Sequence, residues 1–312
     1  SRAELLGKSI GDPLYNWNHL SRNYRIKMIK GDIRKPDMVK EAAKDADLIV
    51  HTAAQVAVTT SLIDPVTDFQ VNAVGTLNIL EAARQNDSTV IYCSTNKVYG
   101  NNVNRIPVVQ DSMRYRFSDE KYGNGVPEEF PIDLCGHTPY GCSKLAADLY
   151  AQDYGYTYGL KTGIFRMSCV YGERQFGVED QGWVAWFTIA ILTEKPATIY
   201  GDGKQVRDVL HVSDLVNAFD AFAVSKFRIE VFNIGGGVLN SVSILELLDL
   251  LRSKSRNIPR LSFREWREGD QKVYISDISK AEASLGWRPR VSIKEGIDRM
   301  TRWITNSRQV FV

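Results

Sequence analysis

Cysteine and histidine are scarce in this sequence, with four of each in 312 residues. Cys93, Cys135, Cys142 and Cys169 form no C-x-x-C pair, and His19, His51, His137 and His211 are scattered without metal-ligand spacing. Metal catalysis therefore has little support, and no metal is expected. Long apolar runs are missing too. Nothing approaches the ~20 residues of a membrane span, and Ser1-Arg2-Ala3-Glu4 carries no apolar signal core. Neither sign of charge is in excess: Lys+Arg 39 stand against Asp+Glu 37, for a formal net charge of +2. A protein that binds nucleic acid through a basic surface is thereby disfavoured. What is present, 44% hydrophobic and 24% charged, excludes disorder and coiled coil and suffices for one large domain or two sharing a core. The expectation is a cytoplasmic, soluble enzyme with reduced thiols and neither a membrane nor a nucleic-acid partner.

Val- and Ile-rich runs alternate with helical stretches, the pattern of strand-helix-strand units around a parallel sheet. Strands are expected at Tyr24 to Ile29, Leu48 to Thr52, Val90 to Cys93, Thr162 to Phe165 and Val231 to Ile234. Helices are expected at Pro36 to Ala43, Pro65 to Asn86, Tyr140 to Tyr158, Trp183 to Leu192, after His211, at Ile244 to Leu251 and at Lys294 to Ile304. The stretch from Gly100 to Thr138 exceeds the ~12–15 residues of a structureless loop, so it is expected to serve a site or contain short elements.

A dinucleotide fold opens with a strand and a G-x-G-x-x-G or G-x-x-G-x-x-G turn, whose glycines let the backbone approach a pyrophosphate. Nothing of that kind precedes Tyr24. Gly7 and Gly11 follow no strand, and Gly235-Gly236-Gly237 comes far too late and reads as a turn. Either the chain lacks its first strand or the sequence begins after it.

The strongest chemical constellation is Tyr140-Gly141-Cys142-Ser143-Lys144, with Ser94-Thr95 at an earlier strand end. Tyr and Lys four apart share a helix face. A nearby ammonium lowers a phenol from its ordinary ~10, so Tyr140 is expected to reach the phenolate near neutral pH and to act as a base on a sugar hydroxyl. Thr95 is placed to hold the same oxygen.

Together these residues resemble the extended short-chain dehydrogenase/reductase family, the nucleotide-sugar epimerases and dehydratases, over the chain from Gly31 onward. The resemblance rests on Gly31-Asp32-Ile33, His51-Thr52-Ala53-Ala54-Gln55, Asn72 within Val71-Asn72-Ala73-Val74-Gly75-Thr76, Val98-Tyr99-Gly100 and Pro139 to Lys144. It continues through Phe165-Arg166 to Tyr171-Gly172, Val206 to Val212, Arg267-Glu268-Gly269-Asp270, Asp277 and Leu285-Gly286-Trp287. It implies a doubly wound α/β fold, Rossmann-like, with a smaller C-terminal α/β substrate domain. Residues 1–165 plus 208–233 would bind the dinucleotide, and 166–207 plus 234–312 the nucleotide sugar.

Carried over residue by residue, the resemblance implies Thr95, Tyr140 and Lys144 as catalytic. NAD would be bound by Asp32, Ile33, Ala53, Ala54, Gln55, Asn72, Cys93, Tyr140, Lys144 and Met167. The substrate would be bound by Thr95, Asn96, Cys169, Arg174, Gln181, Arg207, Arg267 and Asp270, with arginine suited to phosphate by its planar fork. Gln55 to Ser61, Ser94 to Gly100, Arg174-Gln175-Phe176, Asp180 to Val184 and Gly203 to Arg207 resemble the branch that inverts C2 of a CDP-linked deoxyhexose. Homo-oligomers, dimer or tetramer, are expected from the family. Asn96-Lys97 stand where a dehydratase carries Asp-Glu, which argues against water loss. The alternatives are a UDP-hexose 4-epimerase of the same family, or an inactive truncated homologue serving as a binding or assembly partner.

Overall fold

A computed structural model describes residues 14–255 and 259–311; Gly7, Gly11 and the N-terminal tetrapeptide lie outside the described residues. Helices α1 (Tyr15–Asn23) and α2 (Pro36–Ala42) precede β1 (Leu48–His51), and α3 (Val58–Ile63), α4 (Pro65–Phe69) and α5 (Gly75–Asn86) lead to β2 (Thr89–Thr95). A 3-10 stretch, Asn96–Arg105, is followed by β3 (Val108–Gln110), β4 (Tyr115–Phe117), the long helix α6 (Thr138–Tyr158) and β5 (Thr162–Met167). Next come β6 (Cys169–Tyr171), α7 (Trp183–Leu192), β7 (Ala197–Tyr200), β8 (Val206–His211), α8 (Val212–Ala223) and β9 (Ile229–Ile234). The remaining elements are β10 (Ser241–Ser243), α9 (Ile244–Arg252), β11 (Leu261–Arg264), β12 (Val273–Tyr274), α10 (Ser279–Leu285) and α11 (Ile293–Asn306).

The first sheet runs β1-β2-β5-β9, every pairing parallel. Its central strands carry apolar stretches, Val90 to Cys93 in β2 and Ile164-Phe165 in β5, because helices cover both faces. Val90 and Tyr92 pack against Leu80 and Ala83 of α5 and Ala147 and Ala151 of α6. Ile91, one residue out of phase, packs on the opposite face with Phe165, Phe232 and Phe222 of α8. Gly163 makes that second contact possible: a Cβ there would sit 2.6 Å from the Phe222 ring. This is the doubly wound α/β arrangement expected from the sequence.

The second sheet is built around β8, which pairs antiparallel with β10 and parallel with β12 and β6. The expected boundary at residue 208 therefore falls inside one strand, and the ladder carries that strand to the second sheet. The chain returns to the first sheet with α8, whose Leu215, Ala218 and Phe222 pack under it. Helices α7, α9 and α11 close a separate core through Phe187, Leu247, Leu251, Met300 and Ile304. Caps mark two helix starts in that half. Ser243 and Glu246 form a capping box on α9, and the Ser292 hydroxyl accepts from the Glu295 amide of α11.

Two local expectations are corrected and a third is met. Tyr24 to Ile29 is not a strand: Tyr24 is extended, but among the described residues nothing pairs with the segment, and Tyr24, Ile26 and Ile29 are exposed. Alternation alone does not make a strand without a neighbouring ladder. Pro65 to Asn86 is not one regular helix, since a π turn at Gln70–Val74 separates α4 from α5. Gly100 to Thr138 does contain short elements, the antiparallel pair β3-β4 among them.

One buried ion pair ties the first sheet to α6. Arg166 on β5 donates from Nε and Nη2 to the two oxygens of Asp148, each at 3.1 Å, and the side chains are 6% and 0% exposed. Ser94 Oγ and Gln152 Nε2 also donate to that carboxylate, at 2.6 and 2.7 Å. Removing one partner strands a buried charge, so Asp148→Leu is expected to cost about 3–5 kcal/mol in urea unfolding. Adding Arg166→Met should recover part of that loss, a coupling that a double-mutant cycle measures.

Candidate active site

The C-terminal ends of the parallel strands open on a cavity of about 700 Å³, the place where open α/β sheets bind ligands. Tyr140 enters it from the first turn of α6. The orphan amide of that turn is satisfied from another helix: Tyr140 N donates to Ser61 Oγ at 3.1 Å. One turn on, Lys144 reaches back over β2, donating from Nζ to the Cys93 carbonyl at 2.7 Å and lying 4.3 Å from the Tyr92 ring centroid. Thr95 closes the strand, and its hydroxyl, which donates to Asn96 Oδ1 at 3.3 Å, acts to lower the Tyr140 phenol.

The electrostatics differ from the expectation. Burial pushes the Tyr140 phenol up to about 12, against the pull of the Thr95 hydroxyl, and the Asp68 carboxylate adds to the rise. Lys144 does not bring the phenol down, because its ammonium is directed at a carbonyl and an aromatic face. Burial instead lowers Lys144 itself to about 8. Cys93, an inert packed thiol, is raised to about 12 by burial.

Beneath the cavity a polar network fixes the α6 start. Ser143 Oγ donates to Asp68 Oδ2 at 2.5 Å and accepts from Asn72 Nδ2 at 3.0 Å. Asn72, on the π turn, also clamps both backbone groups of Gln55, accepting from its amide at 2.8 Å and donating to its carbonyl at 3.0 Å. Asn72 is thus a strut for the loop after β1. Behind it, His51 is buried and neutral. Thr76 Oγ1 gives its proton to the Asn72 carbonyl at 2.6 Å, so His51 Nε2 is the donor in its 2.9 Å contact with that hydroxyl.

Of the residues singled out in the sequence, Ala54, Cys93, Thr95, Asn96, Tyr140, Lys144, Met167, Cys169, Gln181, Arg207, Arg267 and Asp270 line this one cavity. Asp32, Ile33, Ala53, Gln55, Asn72 and Arg174 do not. Asp32 is half-buried and held near pKa 2 by Arg34; Ile33 packs beside Val39 and Ile79. Arg174 lies 5.2 Å over the Tyr15 ring. The sequence reading left Lys97, Asp68 and Tyr200 out of the site. Lys97 and Tyr200 line the cavity, and Asp68 is fully buried against α6. Lysine two residues beyond a buried strand end was the available signal for Lys97; nothing local marked Asp68.

The donor set fits a dinucleotide at the β2 end. Lys144 is 4% exposed, yet among the described residues its ammonium makes one hydrogen bond of the three it has to give. Residues 9–235 match the NAD dependent epimerase/dehydratase family, and the chain belongs to that family. It is 44% identical over 302 residues to the CDP-paratose 2-epimerase of Salmonella typhi, covering 93% of this chain and 88% of that protein. It is 33% identical over 299 residues to a putative UDP-glucose 4-epimerase of Methanocaldococcus jannaschii, covering 95% and 90%. Among solved structures, the UDP-glucuronic acid 4-epimerase of Bacillus cereus, in complex with UDP-glucuronic acid and NAD, superposes with a TM-score of 0.78. It is 28% identical, covering 94% of this chain and 86% of that one.

Burial drives the His51 imidazole down to about 3, whereas an unfolded histidine titrates near ~6.5. Between those values the unfolded chain binds a proton that the folded chain refuses, so stability falls as pH drops through that window. At pH 5 this costs about 2 kcal/mol relative to pH 8. The urea midpoint of His51→Gln should accordingly fall less steeply between pH 8 and 5 than that of the unaltered protein.

Proposed function

We propose that this chain is an NAD-dependent epimerase that inverts C2 of a CDP-linked deoxyhexose, interconverting CDP-paratose and CDP-tyvelose. The observation that carries the reading is the 44% identity to a CDP-paratose 2-epimerase over nearly the whole chain. It is supported by the convergence of Thr95, Tyr140, Lys144, Arg207 and Arg267 on one cavity. Thr95 is followed by Asn96 and Lys97, neither of which supplies the carboxylate acid and base that water loss requires.

In this reading Lys144 holds the dinucleotide ribose. Thr95 and Tyr140 hold the C2 hydroxyl, and the Tyr140 oxygen takes its proton. When bound, NAD would supply a reversible hydride acceptor, and its oxidised ring would bring a positive charge that favours the Tyr140 phenolate. The 2-keto sugar turns its other face before Tyr140 gives the proton back. Arg207 and Arg267 anchor the nucleotide meanwhile. Residues 14–165 with α8 and β9 form the cofactor half and the rest of the described chain the substrate half. We read the protein as a cytoplasmic homo-oligomer, consistent with four free thiols and with the absence, among the described residues, of a helix able to cross a membrane.

Incubation with CDP-paratose should yield CDP-tyvelose, followed by the C2 proton signal in NMR. Tyr140→Phe should slow this by about 100-fold or more while leaving bound NAD, released by denaturation and chromatographed, undiminished. A 4-epimerase is the second reading, favoured by the 33% identity to the putative UDP-glucose 4-epimerase. Turnover of UDP-galactose but not CDP-paratose would replace the first reading with it.

A further inference from the structure

The two arginines that the family resemblance assigns to the substrate diphosphate are both already engaged. Arg207 donates from Nη1 to the carbonyls of Val206 and Gln271 at 2.8 and 2.7 Å, and its Nη2 lies 3.8 Å from Asp270. Arg267 pairs with Asp180 at 2.9 Å, donates to the Glu179 carbonyl at 3.1 Å, and stacks 3.8 Å over the Tyr200 ring. Lys97 is different. Its side chain leaves the turn directly after Thr95, whose hydroxyl accepts from the Lys97 amide at 3.3 Å. It reaches toward Arg207 and Asp270, which act on it in opposite senses.

The Lys97 ammonium has three N–H groups to give. Among the described residues it makes one hydrogen bond, from Nζ to the Gly269 carbonyl at 3.0 Å. Lys97 lines the cavity. Burial and the Arg207 charge lower it to about 8, so it is charged at neutral pH. Two cations brought together at a sheltered cavity wall are stabilised when an anion arrives between them.

We propose that Lys97 binds the substrate phosphate nearest the sugar, between Thr95 and Arg207, as a third and more mobile anchor for the diphosphate. The proposal rests on reading the cavity as a nucleotide-sugar site and adds the group that holds the pivot. A compact ammonium on a flexible stem accepts changes of direction that a planar fork does not. Such an anchor keeps hold of the phosphate while the attached sugar turns over.

The test is calorimetric binding of CMP and CDP to the NAD-loaded protein and to Lys97→Met, repeated with UMP and UDP. Loss of a charge-assisted hydrogen bond should weaken nucleoside diphosphate binding by about 10- to 100-fold and leave the monophosphate within about 2-fold. Lys97→Arg should restore part of the difference. Should Lys97→Met fail to fold, judged by its urea midpoint, Lys97→Gln keeps a donor for Gly269 and should show the same split. Equal losses for mono- and diphosphate would mean a structural role and overturn the assignment. So would unchanged CDP binding with weakened CDP-paratose binding, which would place Lys97 on the sugar. The split seen with UDP in place of CDP would support Lys97 and overturn the choice of nucleotide. If the unaltered protein prefers neither diphosphate to its monophosphate, the nucleotide-sugar reading falls and the assignment with it.

Discussion

The Asp148 carboxylate is the point on which the site depends. It is fully buried, it lies one turn after Lys144 on α6, and it accepts from Ser94, the residue before Thr95. Its salt bridge to Arg166 draws in β5 as well, so a single anion sets the spacing between strand end and helix that Thr95, Tyr140 and Lys144 share. A buried pair of this kind is weak as a source of stability, because desolvation offsets most of the attraction. Its value here is geometric. Arg166 also donates to the Glu128 carbonyl at 3.1 Å, which extends the constraint into the long segment between β2 and α6.

Much of the first sheet could be read from its residues, for a physical reason. β2 and β5 are covered on both faces, so their middle positions are apolar, and Val90-Ile91-Tyr92-Cys93 has few other structures to adopt. α7 was legible because Trp183 to Leu192 is apolar all round, as a helix packed inside a core must be. Tyr24 to Ile29 shows the limit. Its alternation is as regular as that of a true strand, but pairing is a property of the neighbour. The strand status of β8 was hidden by Arg207, Asp208 and His211, polar residues that are buried because each finds a partner in the fold.

The site divides in the same way. Tyr140, Lys144 and Thr95 carry a spacing that local geometry interprets, and the structure brings all three to one cavity. What spacing does not encode is where a charge points. Lys144 was expected to act on the phenol and is turned instead to a carbonyl and a ring. Arg174 was expected at the substrate and stacks on Tyr15, an α1 residue far away in sequence. Asp68 and Ser143, held at 2.5 Å across two helices, are ordinary helix residues until the helices meet.

The π turn at Gln70–Val74 gives the segment from Pro65 to Asn86 an angular phase shift. A wide turn holds an extra residue, so everything after it is rotated by roughly 100° relative to a continuous α-helix. Upstream of the shift Asp68 faces α6, and downstream of it Thr76, Leu80 and Ala83 face the sheet and its polar underside. A regular helix through the same residues would set Thr76 about 80° round from Asp68. The extra residue therefore works as a gear between two packing surfaces, and Asn72 sits at the tooth. Loss of any one residue from this turn would leave a regular helix whose flanking faces keep their directions, without the wide turn that carries Asn72.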